Sequence, residues 1–480
     1  MRIVHAASEM FPFIKTGGLA DVVGALTGSL AEMGHEVTVF LPGYRTVLES
    51  EELSDARHLQ SLEIEMGDQV FRGEVRTKEL SKNLTLHLIC REEFFDRSYP
   101  YGTPVRDYDD NAERFLFFSK SVVEVLGESR LKYDVLHSHD WQTALIPLLL
   151  RLEEQRRRQL LAARTFLTIH NLAFQGIFSM RVFDLTGFPD ELRGIEGLEF
   201  YGNINFLKGG ILFADRVGTV SPTYCREILT PEFGCGLEGV LRAQQDKFFH
   251  RLNGIDSEIW NPETDRFLPA NYTAEDLAGK SVCQKELLRQ VKLKAKGKGP
   301  IFGMICRFTE QKGLELFRGA INRLLERDCR LVVLGSGSPV YEEWLKGLVK
   351  ENPGKISLHS GMNEELSHLI EAGSDFFIMP SIFEPCGLNQ MYSMRYGTLP
   401  LVSRVGGLAD TVVDLDERPD EGTGISFPPT VAGLKDGFDR AFEVYSDKKR
   451  MKAAIRRAME QDFSWKKAAK DYQELYESAT

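Results

Sequence analysis

The sequence predicts an α/β protein of two Rossmann-like, doubly wound domains facing each other across a cleft. Three observations lead there. Short apolar stretches alternate with helical periodicities through both halves of the chain, the pattern of parallel sheets covered by helices. The pentapeptide GGLAD occurs at 17–21 and again at 406–410, each time between an apolar stretch and a helical one. A chain of 480 residues also suits two or more domains, at roughly 100–200 residues each.

In the first half, residues 3–7 are apolar and bounded by polar residues, so they read as a buried strand. Leu19, Val22, Val23, Leu26, Leu30 and Met33 follow at helical spacing, with Gly34 where a helix ends, and EVTVFLP at 36–42 forms the next strand. YDVLHSHD (133–140), TFLTIHN (165–171) and ADRVGTVS (214–221) read as further strands ending in polar residues, with a helix at 111–125. The stretch NGIDSEIWNPETD (253–265) is rich in turn formers and breaks the alternation, which places the domain crossing there. The second half repeats the architecture. PIFGMIC, CRLVVLG, ISLHS, DFFIMP and TLPLVS are strand candidates, with helices at 314–327, 340–351, 364–372 and 388–396. The expected domains are therefore 1–255 and 256–463, the last helix at 464–480 packing back on the first.

Composition removes several function classes. Apolar residues are 42% and charged residues 27%, ordinary for a protein with real cores. A net charge of −11 argues against nucleic acid or an anionic membrane as partner. The seven cysteines are odd in number and contain no Cys-x-x-Cys pair, which suits a reducing compartment. Polar residues interrupt the first ten positions, and the longest apolar run, 144–150, is far short of the roughly 20 residues of a membrane helix. The expected location is the cytoplasm.

Function is expected where strands give way to loops. Gly17 and Gly18 stand at a strand-to-helix turn, where backbone N–H groups and the helix dipole favour an anion, and Lys15 lies within reach of it. Neither the G-x-G-x-x-G fingerprint of a dinucleotide site nor the Walker A spacing is present, so an NAD-linked oxidoreductase is disfavoured. RFTEQKG puts Arg307 and Lys312 on one loop after a strand, suited to a diphosphate that gathers charge as it leaves. Glu384 and Cys386 sit in a proline-containing loop after another strand, where a carboxylate can accept hydrogen bonds from sugar hydroxyls. His137, His139 and Asp140 are close in sequence, but they read as hydrogen-bonding strand-end residues rather than a metal site. The Asp-x-Asp at 107–109 precedes a helix, so helix capping accounts for it better than a metal does. The lysine-rich run 292–298 reads as a solvated stretch. Cys386 has no evident base and is not expected to be a nucleophile.

Taken in order, KTGGLADVVGAL, HSHDWQTAL, TIHNLAFQG, RLNGID, RFTEQKG, SIFEPCGLNQMYSMRYGTLPLV and GGLADTV resemble the bacterial glycogen synthase and starch synthase family over nearly the whole chain, down to FSWKKAAKDYQELY. The resemblance implies the GT-B fold and a retaining glucosyltransferase that moves glucose from ADP-glucose to the non-reducing end of an α-1,4-glucan, with no metal and no cofactor. It implies that Lys15, Gly17 and Gly18 meet the donor, with Asp21 matching an aspartate of that motif. Asp140 and His170 would line the glucose and acceptor side with Asn253 nearby. Arg307 and Lys312 would hold the leaving diphosphate, Glu384 the glucose hydroxyls, and Cys386, Gly387 and Gln390 would complete the pocket. The chain departs from the pattern in three places. Tyr392 stands eight residues after Glu384, where the wider GT-B group often has a second glutamate. Met362 stands where an aromatic residue often meets the adenine, and Ser98–Tyr99 replace a glycine in FFDRSYPYG.

Overall fold

Strand Arg2–Ala6 is the seed of the first sheet. Ile3, Val4 and Ala6 are buried, as expected for a parallel strand covered on both faces. It pairs in parallel with Glu36–Pro42 on one side and Val135–His139 on the other. The computed structural model describes residues 1–103, 106–128, 133–157, 164–293 and 297–479, so residues 294–296 of the lysine-rich run lie outside the described residues. The nine strands of this sheet run in the order Phe248–His250, Arg216–Thr219, Arg164–Ile169, Val135–His139, Arg2–Ala6, Glu36–Pro42, Leu84–Cys90, Gln69–Ser81, Arg57–Met66. Pairing is parallel as far as Leu84–Cys90 and antiparallel for the last two strands.

That antiparallel edge was not among the expected strands. Its signature differs: Leu62, Ile64 and Met66 are buried while Glu63 and Glu65 between them are exposed. One face of an edge hairpin is wet, so it alternates instead of forming an apolar run. The first helix, Gly18–Glu32, buries Leu19, Val22, Val23, Leu26 and Leu30. Met33, expected on the same face, is its C-cap and is exposed. Helix Trp465–Ala479 lies in this first unit, which comprises Met1–Val220, Cys225–Arg251 and Trp465–Thr480. It buries Trp465, Tyr472 and Tyr476, and the Tyr476 hydroxyl lies 2.6 Å from His137 Nδ1.

The second unit, Ser221–Tyr224 and Leu252–Ser464, holds a six-stranded parallel sheet. The order is Ile356–Ser360, Arg330–Gly335, Ile301–Ile305, Phe376–Met379, Leu399–Ser403, Ile425–Phe427. The last strand is only three residues long and was not expected from the sequence. The chain leaves the first unit after Arg251 and re-enters it at Trp465, beside the expected 255/256 and 463/464. Just inside the second unit the outgoing and returning segments pair, Ile255 N–H donating to the Phe463 carbonyl at 2.7 Å. The turn-rich stretch 253–265 is firmly packed. Trp260 stacks between His368 (3.9 Å) and Tyr392 (4.0 Å), and Asp265 accepts from the Tyr396 hydroxyl at 2.6 Å.

The two GGLAD segments differ at matched positions. Gly17 has extended backbone, φ −156°, and a methyl group there would meet nothing within 4 Å, whereas its counterpart Gly406 is left-handed at φ 42°. Gly407 lies against the Glu384–Cys386 loop: its N–H donates to the Glu384 carbonyl at 3.0 Å, and a methyl group would sit 2.2 Å from the Cys386 carbonyl oxygen. The aspartates differ as well. Asp21 faces Lys15, whereas Asp410 accepts from the Thr223 amide and hydroxyl at 2.9 and 2.6 Å, tying Ser221–Tyr224 into the second unit. Gly407→Ala is therefore expected to cost more than about 2 kcal/mol of stability, and Gly17→Ala less than about 1 kcal/mol. Denaturant unfolding of the two variants checks this, and equal losses would contradict it.

Candidate functional site

In the first unit the site grows from the ends of three strands. Beyond Arg2–Ala6, the loop carries Glu9, a 3% exposed carboxylate. It accepts from the Thr16 amide (2.5 Å), the Thr16 hydroxyl (2.6 Å), the Gly17 amide (3.3 Å) and the Tyr101 hydroxyl (2.6 Å). This changes the expected anion site. The Thr16 and Gly17 amides already serve Glu9, so Gly18 provides the first amide of the turn that Glu9 does not hold. Lys15 is exposed and pairs with Asp21 at 2.7 Å. Such a surface pair is worth about 0–1 kcal/mol, so the ammonium is readily released to another anion.

Asp140 and His170 come together at the ends of strands Val135–His139 and Arg164–Ile169. Asp140 adopts φ 55°, a left-handed conformation rare for a side-chain-bearing residue, and its Oδ1 accepts the His170 amide at 2.7 Å. Burial pushes the Asp140 carboxyl up to about 7, with the nearby Glu9 adding to the shift. Behind His170 lie further histidines on the same face of the sheet. His170 Nε2 is 3.0 Å from His139 Nδ1, and His139 Nε2 is 3.0 Å from His5 Nδ1. His5, His137 and His139 offer ring nitrogens within 4.8 Å of one another. Both nitrogens of His137 are engaged, by the Tyr476 and Thr168 hydroxyls, and both of His139 by histidines. The nitrogens of His137 and His139 are thus engaged in hydrogen bonds, while His5 Nε2 has no partner among the described residues. In the Asp-x-Asp segment, Asp109 is exposed and faces Arg106 at 3.5 Å, while the next residue, Asp110, grips Arg97.

In the second unit Arg307 and Lys312 lie on the loop after Ile301–Ile305. Arg307 is exposed and makes no ion pair among the described residues. Lys312 Nζ donates to Glu384 Oε2 at 2.6 Å, and Ser381 Oγ donates to the same oxygen at 3.0 Å. The Glu384 side chain is only 8% exposed. Gly313, at φ 68°, lets this loop approach the Glu384 segment, because a methyl group there would lie 1.7 Å from the Pro380 carbonyl oxygen. Gln390 is fully buried, and its amide donates to the Cys386 and Gly387 carbonyls, both at 3.0 Å. It braces the Cys386–Gly387 loop from behind. Asn253 is buried, its backbone N–H close enough to hold the Cys386 thiol's shift in check, and its Oδ1 has no partner among the described residues. Burial pushes that thiol up to about 12, which disqualifies it as a nucleophile at neutral pH. Met362 stands fully exposed.

Sequence reasoning missed Glu9, Ser381 and His5. His5 left a signal, a histidine inside an otherwise apolar strand. Glu9 left only its position after one.

Asp140 makes stability depend on pH with a definite sign. Its folded value, about 7, lies above the ordinary 3.8, so between the two the folded state holds a proton that the unfolded chain lacks. Stability from this group is present at low pH and is lost as pH rises through 7. The melting temperature of Asp140→Asn relative to the unmodified protein should therefore be higher at pH 8.5 than at pH 5, and a pH-independent difference would contradict this.

Comparison with known proteins agrees with this geometry. Residues 2–243 match the model of the starch synthase catalytic domain, and residues 285–458 that of the glycosyl transferases group 1. A glycogen synthase from Opitutus terrae is 54% identical over 476 residues, covering 99% of each chain. Glycogen synthase 2 from Geobacter sulfurreducens is 44% identical, covering 100% of this chain and 99% of its own. Among solved structures, the catalytic domain of starch synthase IV from Arabidopsis thaliana bound to ADP and acarbose superimposes with TM-score 0.90 at 36% identity, covering 100% of this chain and 99% of that one. Sucrose-phosphate synthase from Thermosynechococcus elongatus, at 18% identity and TM-score 0.62 over 99% and 98% of the two chains, shares the fold. Two Rossmann-like units of this kind are the GT-B architecture, and the chain belongs to the glycogen synthase and starch synthase family of glycosyltransferases.

Proposed function

We propose that this protein transfers glucose from ADP-glucose to the non-reducing end of an α-1,4-glucan such as glycogen, in the cytoplasm, with retention of configuration and without a metal or cofactor. The observation that carries this reading is the Lys312–Glu384 pair beside the unpaired Arg307 at the carboxyl edge of a parallel sheet. Here a cation and a buried carboxylate are fixed 2.6 Å apart, ready for a ligand with a diphosphate at one end and hydroxyls at the other. The adenine nucleotide is supported by the relative at 36% identity that is bound to ADP.

In this reaction the bond from glucose C1 to the diphosphate oxygen breaks and a bond from C1 to the acceptor O4 forms. The diphosphate takes the bonding electrons, and the acceptor hydroxyl gives up its proton. Arg307 and Lys312 neutralise the charge that develops on the leaving group, the work a divalent ion does in other transferases. Glu384 accepts hydrogen bonds from glucose hydroxyls. Asp140 and His170 line the sugar and acceptor side, and Gly18 offers its amide to the donor.

Release of nucleotide from ADP-glucose and UDP-glucose, measured with glycogen present, tests the assignment. ADP-glucose should be the faster donor, and absence of transfer from it would overturn the proposal. Arg307→Ala and Lys312→Ala should each lower turnover roughly 10²–10³-fold, the effect of losing a charged contact made in the transition state. Near-normal turnover in both would remove the diphosphate site. Activity should also survive EDTA and Asp107→Asn, and loss on chelation that magnesium or manganese restores would revive the Asp-x-Asp reading.

A further inference from the structure

Behind the sugar side of the first unit runs a file of three rings, His170, His139 and His5. His5 and His139 are completely buried, while His170 is half-buried at the strand end. The backbone makes the file possible. His5 lies opposite His137 in the register of neighbouring strands, His139 is two residues on, and His139 lies opposite Thr168, two residues before His170. Side chains of a strand alternate, so all of these project from one face of the sheet. The contacts are Nε2 of His170 to Nδ1 of His139, and Nε2 of His139 to Nδ1 of His5, both 3.0 Å. At the far end His5 Nε2 is buried and has no hydrogen-bond partner among the described residues.

Burial holds all three rings well below the ordinary histidine range, so each carries a single proton at neutral pH. A neutral His139 can donate once and accept once. The file therefore has one polarity throughout, and only two arrangements exist. In one, the protons sit on every Nδ1: His5 donates to His139, His139 donates to His170, and His170 keeps an Nδ1–H for the site. In the other, the protons sit on every Nε2, His170 faces the site with a bare Nδ1, and His5 must bury an N–H that donates to nothing. A buried donor without an acceptor costs more than a buried lone pair, and orphaned N–H groups are the rarer of the two in proteins.

We propose that His5 and His139 are positioning residues that hold His170 as the Nδ1–H tautomer, so that His170 meets the substrate as a hydrogen-bond donor to a sugar oxygen and not as a base. The unpartnered end of the file, deep in the sheet, selects the proton position at the exposed end. The role in catalysis rests on the glucosyltransferase reading above, but the tautomer itself does not.

The test is a long-range proton–nitrogen correlation spectrum of ligand-free protein carrying isotope-labelled histidine, with His170 identified by its loss in His170→Gln. The expected result is a protonated Nδ1 and a bare Nε2 on His170, opposite to the tautomer that free histidine side chains prefer. A bare Nδ1 on His170 overturns the proposal. His139→Leu should release the ring toward the Nε2–H form and lower kcat/KM on the order of tenfold, the effect of one hydrogen bond. His139→Gln, which can still donate, should keep more activity than His139→Leu. A tautomer unchanged in His139→Leu would show that His139 does not set it. If His139→Leu fails to fold, the spectrum of the unmodified protein still decides. An Nε2–H ring in a protein that does transfer glucose defeats this inference alone, whereas absence of transfer defeats the functional reading and leaves the tautomer standing.

Discussion

A carboxylate taken out of water must be held by donors or a cation, and in each unit one buried glutamate held in that way lies beside a glycine turn. Glu9 takes the Thr16 and Gly17 amides, the Thr16 hydroxyl and the Tyr101 hydroxyl, and so sets the path of the first GGLAD loop. Glu384 spends its carboxylate on Lys312 and Ser381, and its backbone carbonyl takes the Gly407 amide of the second. Removing the donors of Glu9, or Lys312 beside Glu384, would leave a buried carboxylate uncompensated, which is far costlier than losing a surface pair. The loops bearing Lys15 and Lys312 are in this way fixed before any ligand arrives.

The two lysines are consequently not equivalent. Lys15 is exposed, and its pairing with Asp21 can be exchanged for an incoming anion at little cost. Lys312 is mostly covered, and its charge is already balanced by Glu384. On the proposed reading, a donor whose phosphates reach Lys312 must share it with Glu384, so hydroxyls meeting Glu384 and phosphates meeting Lys312 would be recognised together.

Much of this was legible in the sequence because parallel strands buried on both faces are apolar runs with polar ends. TLPLVS contains Leu399–Ser403, and DFFIMP contains Phe376–Met379, both buried throughout. The same rule hid what does not obey it. The edge hairpin alternates with glutamates, and Ile425–Phe427 is too short to give a period. At the site, Arg307, Lys312 and Glu384 could be found because each ends or follows an apolar run, but sequence could not tell that Gln390 turns inward to bind backbone carbonyls. The resemblance between the two GGLAD segments misled in one respect. The first glycine of the motif is extended at Gly17 (φ −156°) and left-handed at Gly406 (φ 42°), a difference that only tertiary packing decides.

The proposed reaction moves an intact glucosyl unit to a glucan end. Its most direct test is to supply ADP-glucose labelled in the sugar together with unlabelled glycogen, isolate the polymer, and digest it with β-amylase, which cuts maltose from non-reducing ends. Label is expected in the polymer, with early release as maltose. Label that stays out of the polymer, or that enters it but resists release from the chain ends, would contradict it.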